Sequence, residues 1–300
     1  MLYIEAGLDT ERRIADAGTS ASAMLARKIN QTKVTRVALV PISRELHGKT
    51  RIRPISSFAF AAKATVVPIY GSEIIVMSHE VPVVFIREAD TFSTGALVGL
   101  RAGQNLMLDP QGRWMGAHIP AIWRRGPFRL GRVEDGQEPR MVLCLEDSSD
   151  LISDTEGNPL FDESGTPTTL VSAATDLLSQ LERDIHSTKA ICALLDQMGL
   201  IVPWALDLAQ PDGQKQRVLD LFHVDEPKIA TLSGEDLLRL RDAGALALIY
   251  AHLLSLSKIG LLGRLAKLAD ERAQQQAALH KGNLNLDRAF GIVEDDPFIF

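Results

Sequence analysis

Apolar residues in the first half of the chain come in short runs separated by turn residues. "RVALVPI" (36–42), "ATVVPI" (64–69), "VPVVFIRE" (81–88), "TGALVGL" (94–100), "NLMLD" (105–109) and "PRMVLCLE" (139–146) have the length of strands. "TRIRP" (50–54) alternates and stops at Pro54, which a central strand excludes. Between these runs, "GSEIIVMSHE" (71–80) reads as a short helix. "DPQG" (Asp109–Gly112) and "DESG" (Asp162–Gly165) are turns by chemistry: Asp opens them and Gly takes the left-handed position. "PDGQ" (Pro211–Gln214) is a variant, which makes "PWALDLA" and "QRVLDLFHV" the arms of a hairpin.

The period then lengthens. From Thr166 to Gly199, Leu170, Ala174, Leu177, Leu181, Ile185, Thr188, Cys192 and Leu195 recur at spacings of three and four, one face of a long helix. Thr and Pro open it and Gly199 closes it. "SGEDLLRLRDAG" (233–244) is a helix capped by Ser233. "AGALALIYAHLLSLSKIGLLG" (243–263) is apolar all round. It approaches the roughly 20 residues of a bilayer span. His252 and Lys258 lie inside it, however, so it reads as a buried core helix with no membrane span.

These patterns predict an α+β fold, a mostly antiparallel sheet from the first half packed by long helices from the second. Residues 1–34 form a polar N-terminal arm with one helix at "SASAMLARKINQ". A single domain spans 35–265, β-rich over 35–150 and helical over 166–265, and 266–300 is a charged, flexible tail. The apolar helix 243–263 and the stripe on 168–199 suit a homodimer seam and core packing equally.

Composition narrows the function. The net charge of −6 argues against nucleic acid as a partner. Two cysteines, Cys144 and Cys192, make no disulfide framework or metal-ligand spacing. With no signal peptide at the start, they place the protein in the cytoplasm.

Chemistry-bearing motifs are few. "SRELHGKT" (43–50) ends like a phosphate loop but lacks its first glycine and runs into "RIRP" instead of a helix. The acidic run 146–163 holds seven acids and no base. As an EF-hand it would need an oxygen ligand where Ile152 stands. It reads as a solvated loop, facing a basic rim of Arg113, Arg124, Arg125 and Arg129. "HVD" puts His223 and Asp225 on one strand face. With His252 or His280 it imitates the two-His-one-carboxylate site of non-haem Fe(II) enzymes. Seven histidines and 38 acids in 300 residues make about one such triplet by chance. The alternative is a strand-end histidine with Asp225 capping "EPKIATL". No serine elbow, Rossmann fingerprint or His-Glu-x-x-His occurs. The stretch 112–131 offers an aromatic and basic binding rim of Trp114, Trp123, Arg124 and Arg125, or else buried indoles with a structural rim. His118 has no ligand-spaced partner and reads as structural. "VEDDPFIF" at the C-terminus reads three ways: a docking peptide whose Phe298 and Phe300 fill a partner's pocket, an export signal, or a plain tail.

Several segments together resemble the SapC family of bacterial proteins. They are "TRIRPISSFAFAAKATVVPI", "VPVVFI", "LVGLRAGQNLMLDPQGRW", "IPAIWRRGPFRLG", "GNPLFDESGTPT", "CALLDQMGLIVPW" and "LFHVDEPKIATLSGEDLLRLRDAGALALIYAHLLSL". They run in family order from about residue 40 to residue 263. The resemblance implies a link to bacterial surface-layer loci, no settled activity and no assigned functional residues. The expectation is a non-catalytic accessory or binding protein with an unknown protein partner and no cofactor. A metal-dependent enzyme using His223 and Asp225, and a surface component exported through its tail, are the alternatives.

Overall fold

The computed structural model describes residues 39–133, 140–209, 215–218 and 220–289. The N-terminal arm, the tip of the "PDGQ" turn, and Phe298 and Phe300 lie outside the described residues. In chain order the elements begin with β1 (Leu39–Pro41), α1 (Arg44–His47), β2 (Arg51–Ile52), β3 (Val66–Pro68), α2 (Glu73–Ser78), β4 (Val83–Glu88) and β5 (Thr91–Leu97). Next come α3 (Ala121–Arg124), β6 (Phe128–Val133), β7 (Arg140–Glu146), β8 (Ile152–Ser153), β9 (Asn158–Pro159) and α4 (Thr169–Gln197). The remainder are β10 (Ile201–Pro203), β11 (Leu206–Ala209), β12 (Lys215–Val218), β13 (Leu221–Val224), α5 (Glu226–Ile229), α6 (Gly234–Asp242), α7 (Ala245–Ser255) and α8 (Ile259–Ala289). Antiparallel sheets dominate the first half and helices the second, the α+β class that the pattern predicts.

The chain divides into two compact units whose boundaries fall at 56/57, 120/121 and 186/187. The first unit holds two three-stranded antiparallel sheets, ordered β1-β7-β6 and β8-β2-β9. Phe128, Cys144 and Leu145 are buried in the former. In the latter, β2 stops after two residues, just before Arg53 and Pro54. Gly157 holds φ at 99°, and a Cβ there would lie 2.3 Å from the Ile52 carbonyl oxygen, so only glycine fits. The "DESG" turn forms as expected: the Gly165 amide donates to the Asp162 carbonyl at 2.9 Å.

The second unit is built on a five-stranded antiparallel sheet, ordered β10-β13-β4-β5-β3. β4 and β5 form a hairpin, and Val83, Val84, Phe85, Ala96 and Leu97 are fully buried. α2 and α7 contribute Ile74, Met77, Leu248 and Ile249 to the core. "NLMLD" is not a strand; it supplies only the bridge between Leu108 and Trp114 around the "DPQG" turn. "QRVLDLFHV" is not one strand either. Asp220 takes φ of 50° and separates β12, paired with β11, from β13, which joins the main sheet.

α4 spans the 186/187 boundary and carries its long stripe much as read, with Leu178 in the buried row where Leu177 was expected. It ends in a Schellman motif: Leu200 donates to the Leu195 carbonyl and Gly199 to that of Asp196, at 2.9 and 2.8 Å. Gly244, at φ of 71°, sets α6 off from α7. A 3-10 turn over Leu256–Lys258 interrupts the apolar run before α8. α8 continues to Ala289, through much of the stretch read as tail. Arg101 clamps it with two hydrogen bonds to Asp270, at 2.6 and 2.9 Å.

Candidate functional site

The iron reading fails at His252. Its ring is 0% exposed, and both nitrogens are spent on the backbone of the main sheet. Nε2 accepts the Val224 amide at 3.1 Å, which leaves Nδ1 to donate to the Val83 carbonyl at 2.8 Å. Ser255 completes the arrangement: its hydroxyl accepts the Val83 amide and donates to the His252 carbonyl. β4 and β13 pair only at Leu221–Ile86 and Phe222–Phe85, so the imidazole takes the place of the rungs that follow. Burial pushes its pKa down to about 4, with a smaller contribution from the neighbouring His223. His252 is therefore not free to join His223 and Asp225. Asp225 is the N-cap of α5 and accepts the Lys228 amide at 3.3 Å, the structural role read as the alternative. His223 stands on β13 opposite Val202, beside the Trp204 ring. The His280 side chain lies outside the described residues. Among the described residues, no group of three or more metal-ligating side chains could hold an ion. Among the described residues, His223, Asp225 and His252 do not come together as an Fe(II) site.

The aromatic and basic rim is divided. Trp114 belongs to the second unit, and Trp123, Arg124 and Arg125 to the first. Trp123 is buried on α3, and the Trp114 indole donates to the His118 carbonyl at 2.8 Å. Of the other rim arginines, Arg129 pairs with Glu146, the first acid of the acidic run. Arg113 pairs with Asp109 within its own turn, at 2.6 Å.

A polar cluster that sequence reasoning missed lies on α2 and just beyond its end. Glu80 accepts the amides of Ala117 and His118, both at 3.0 Å. Glu73, 7% exposed, meets His118 Nε2 at 2.8 Å. The loop closes so tightly that a Cβ on Gly116 would fall 2.1 Å from the Glu80 carboxylate. Glu73 and Glu80 are seven residues apart, the spacing of one face in the helix predicted over 71–80, and that spacing was the available signal. Chemically the cluster anchors the 114–118 loop.

Among the described residues of the second unit, α2 and α7 border a groove of about 380 Å³. Ser78, Ala247 and Ala251 line it; the two alanines, at i and i+4, leave room along the α7 face. Ile75 (47% exposed) and Leu254 (74% exposed) flank it, and His79 and Lys258 supply polar groups. Val76 and Tyr250 extend the exposed apolar surface on the same helices. The volume lies within the range that holds small organic groups, and the lining is mostly apolar. The helical run Ala245–Leu279 is long and apolar enough to cross a membrane by length and composition, with 39% of its most apolar stretch buried.

No curated protein and no solved structure matches the chain. The SapC family model matches residues 42–262, a span that includes the His252 arrangement, the Glu73–Glu80 cluster and every residue lining the groove. With that match covering well over half its length, the chain belongs to the SapC family.

Proposed function

We propose that the protein is a non-catalytic accessory or binding protein that uses the groove between α2 and α7 to take up an apolar segment of a protein partner. Family membership supports, as part of this proposal, a link to bacterial surface-layer loci. The observation that carries the binding reading is the groove rim, where a 74%-exposed leucine stands over a floor of small residues. Exposed apolar surface of this kind marks a contact site. The polar clusters support the non-catalytic part of the reading. The His252 ring nitrogens and the Glu80 carboxylate are committed to backbone groups, and Asp225 caps a helix.

The test places a photo-crosslinking amino acid at position 254 in cells making the full chain. A covalent protein adduct that disappears when Ile75→Asp is added is the expected result. No protein adduct, or a turnover by the purified protein that is lost in His118→Ala, overturns the reading.

A further inference from the structure

We infer that the groove between α2 and α7 receives the C-terminal segment Glu294–Phe300 of a second copy of this chain. The inference rests on the binding reading above and names its occupant. Complementarity is the first argument. "EDDPFIF" sets three acids ahead of two phenylalanines. In an extended segment Phe298 and Phe300 lie on one face, and Pro297 biases Asp296 toward that extended conformation. The groove offers the counterpart: apolar walls at Ile75 and Leu254, small residues along Ala247 and Ala251, and the basic Lys258 and His79. α7 carries no acidic residue that would repel the tail.

Reach is the second argument, and it selects a second copy. Lys258, at the groove, directly precedes α8. The 31 residues of α8 carry the chain about 46 Å away along the helix. Phe298 follows Ala289 by nine residues, which span at most about 32 Å when fully extended. The tail falls short of the groove of its own chain, whereas the groove of another copy carries no such limit. An exchange of this kind between copies is a low-cost route to self-association.

The experiment uses full chains throughout. The unaltered chain is expected to sediment above one chain mass. F298A/F300A, which lacks the ligand, and L254D, which has a damaged groove, are each expected to sediment as single chains. An equimolar mixture of the two regains association, because one contributes the groove and the other the tail. A photo-crosslinker at position 254 in a mixture of isotopically heavy and light copies is expected to join heavy to light through a peptide from 290–300. The inference is overturned if the unaltered chain is monomeric, if F298A/F300A sediments like the unaltered chain, or if adducts form only within one copy. An adduct in cells to a different protein alone overturns the tail as occupant and leaves the binding reading standing. The absence of any protein adduct overturns both.

Discussion

Replacing His252 should cost more than any surface change in this chain, and the cost should depend on pH in a defined direction. In His252→Ala the Val83 carbonyl and the Val224 amide both lose their partner in the core. An unsatisfied buried group costs about 1–3 kcal/mol, and the missing ring leaves a cavity against Phe85, so the loss should reach about 3–5 kcal/mol. His252→Gln offers one donor and one acceptor and should cost about 1–2 kcal/mol at pH 7. The pKa is about 4 in the fold against 6.5 for a free histidine, so the native state holds the ring neutral. As pH falls below 6.5 the unfolded chain takes up a proton that the folded chain refuses. Stability is therefore full above 6.5 and declines toward 4, by about 2 kcal/mol at pH 5 and about 3 kcal/mol in all. His252→Gln lacks this proton. Urea unfolding of both chains at pH 7 and pH 5 should show the stability gap shrinking or reversing by about 2 kcal/mol. An unchanged gap, or the His252 imidazole resonance (the one lost in His252→Gln) titrating near 6.5 in the folded protein, refutes the reasoning.

Three further outcomes are expected. Glu80→Ala removes the acceptor of two loop amides and should cost about 1–3 kcal/mol, with faster hydrogen exchange at Ala117 and His118. Gly157→Ala forces a Cβ against the Ile52 carbonyl at φ of 99° and should lower stability by about 2–4 kcal/mol in a thermal melt. Burial, aided by the Glu88 charge, pushes the Cys192 thiol up to about 12. A disulfide reagent at pH 8 should leave it unmodified in the native protein and modify it once urea unfolds the chain.

Local devices were legible in the sequence because their causes lie within a few residues. The Ser233 cap, the Asp225 cap, the Gly199 terminus and the "DESG" turn all stand where residue chemistry puts them. What escaped depends on distant partners. His252 reads as a polar interruption of an apolar helix, and its partner Val83 is 169 residues away. His118 has no partner in sequence; the fold brings Glu73 to it across 45 residues. The break of "QRVLDLFHV" at Asp220 leaves no glycine or proline to announce it. The groove was hidden for another reason: hydropathy scores the buried Ile249 and the exposed Leu254 alike, and only packing tells them apart.

The asymmetry of α8 has a thermal consequence. Its opening turns include the buried Leu262 and are clamped at Asp270, whereas every residue from 271 to 279 is exposed. That outer portion has no core to melt with. It keeps its form through its own run of alanine, glutamine and arginine, which are good helix formers. An isolated segment of this length is marginal in water. Heating should therefore unwind it gradually and early, as a peptide unwinds, while the opening turns give way only with the buried Leu262 and the Arg101 clamp that hold them.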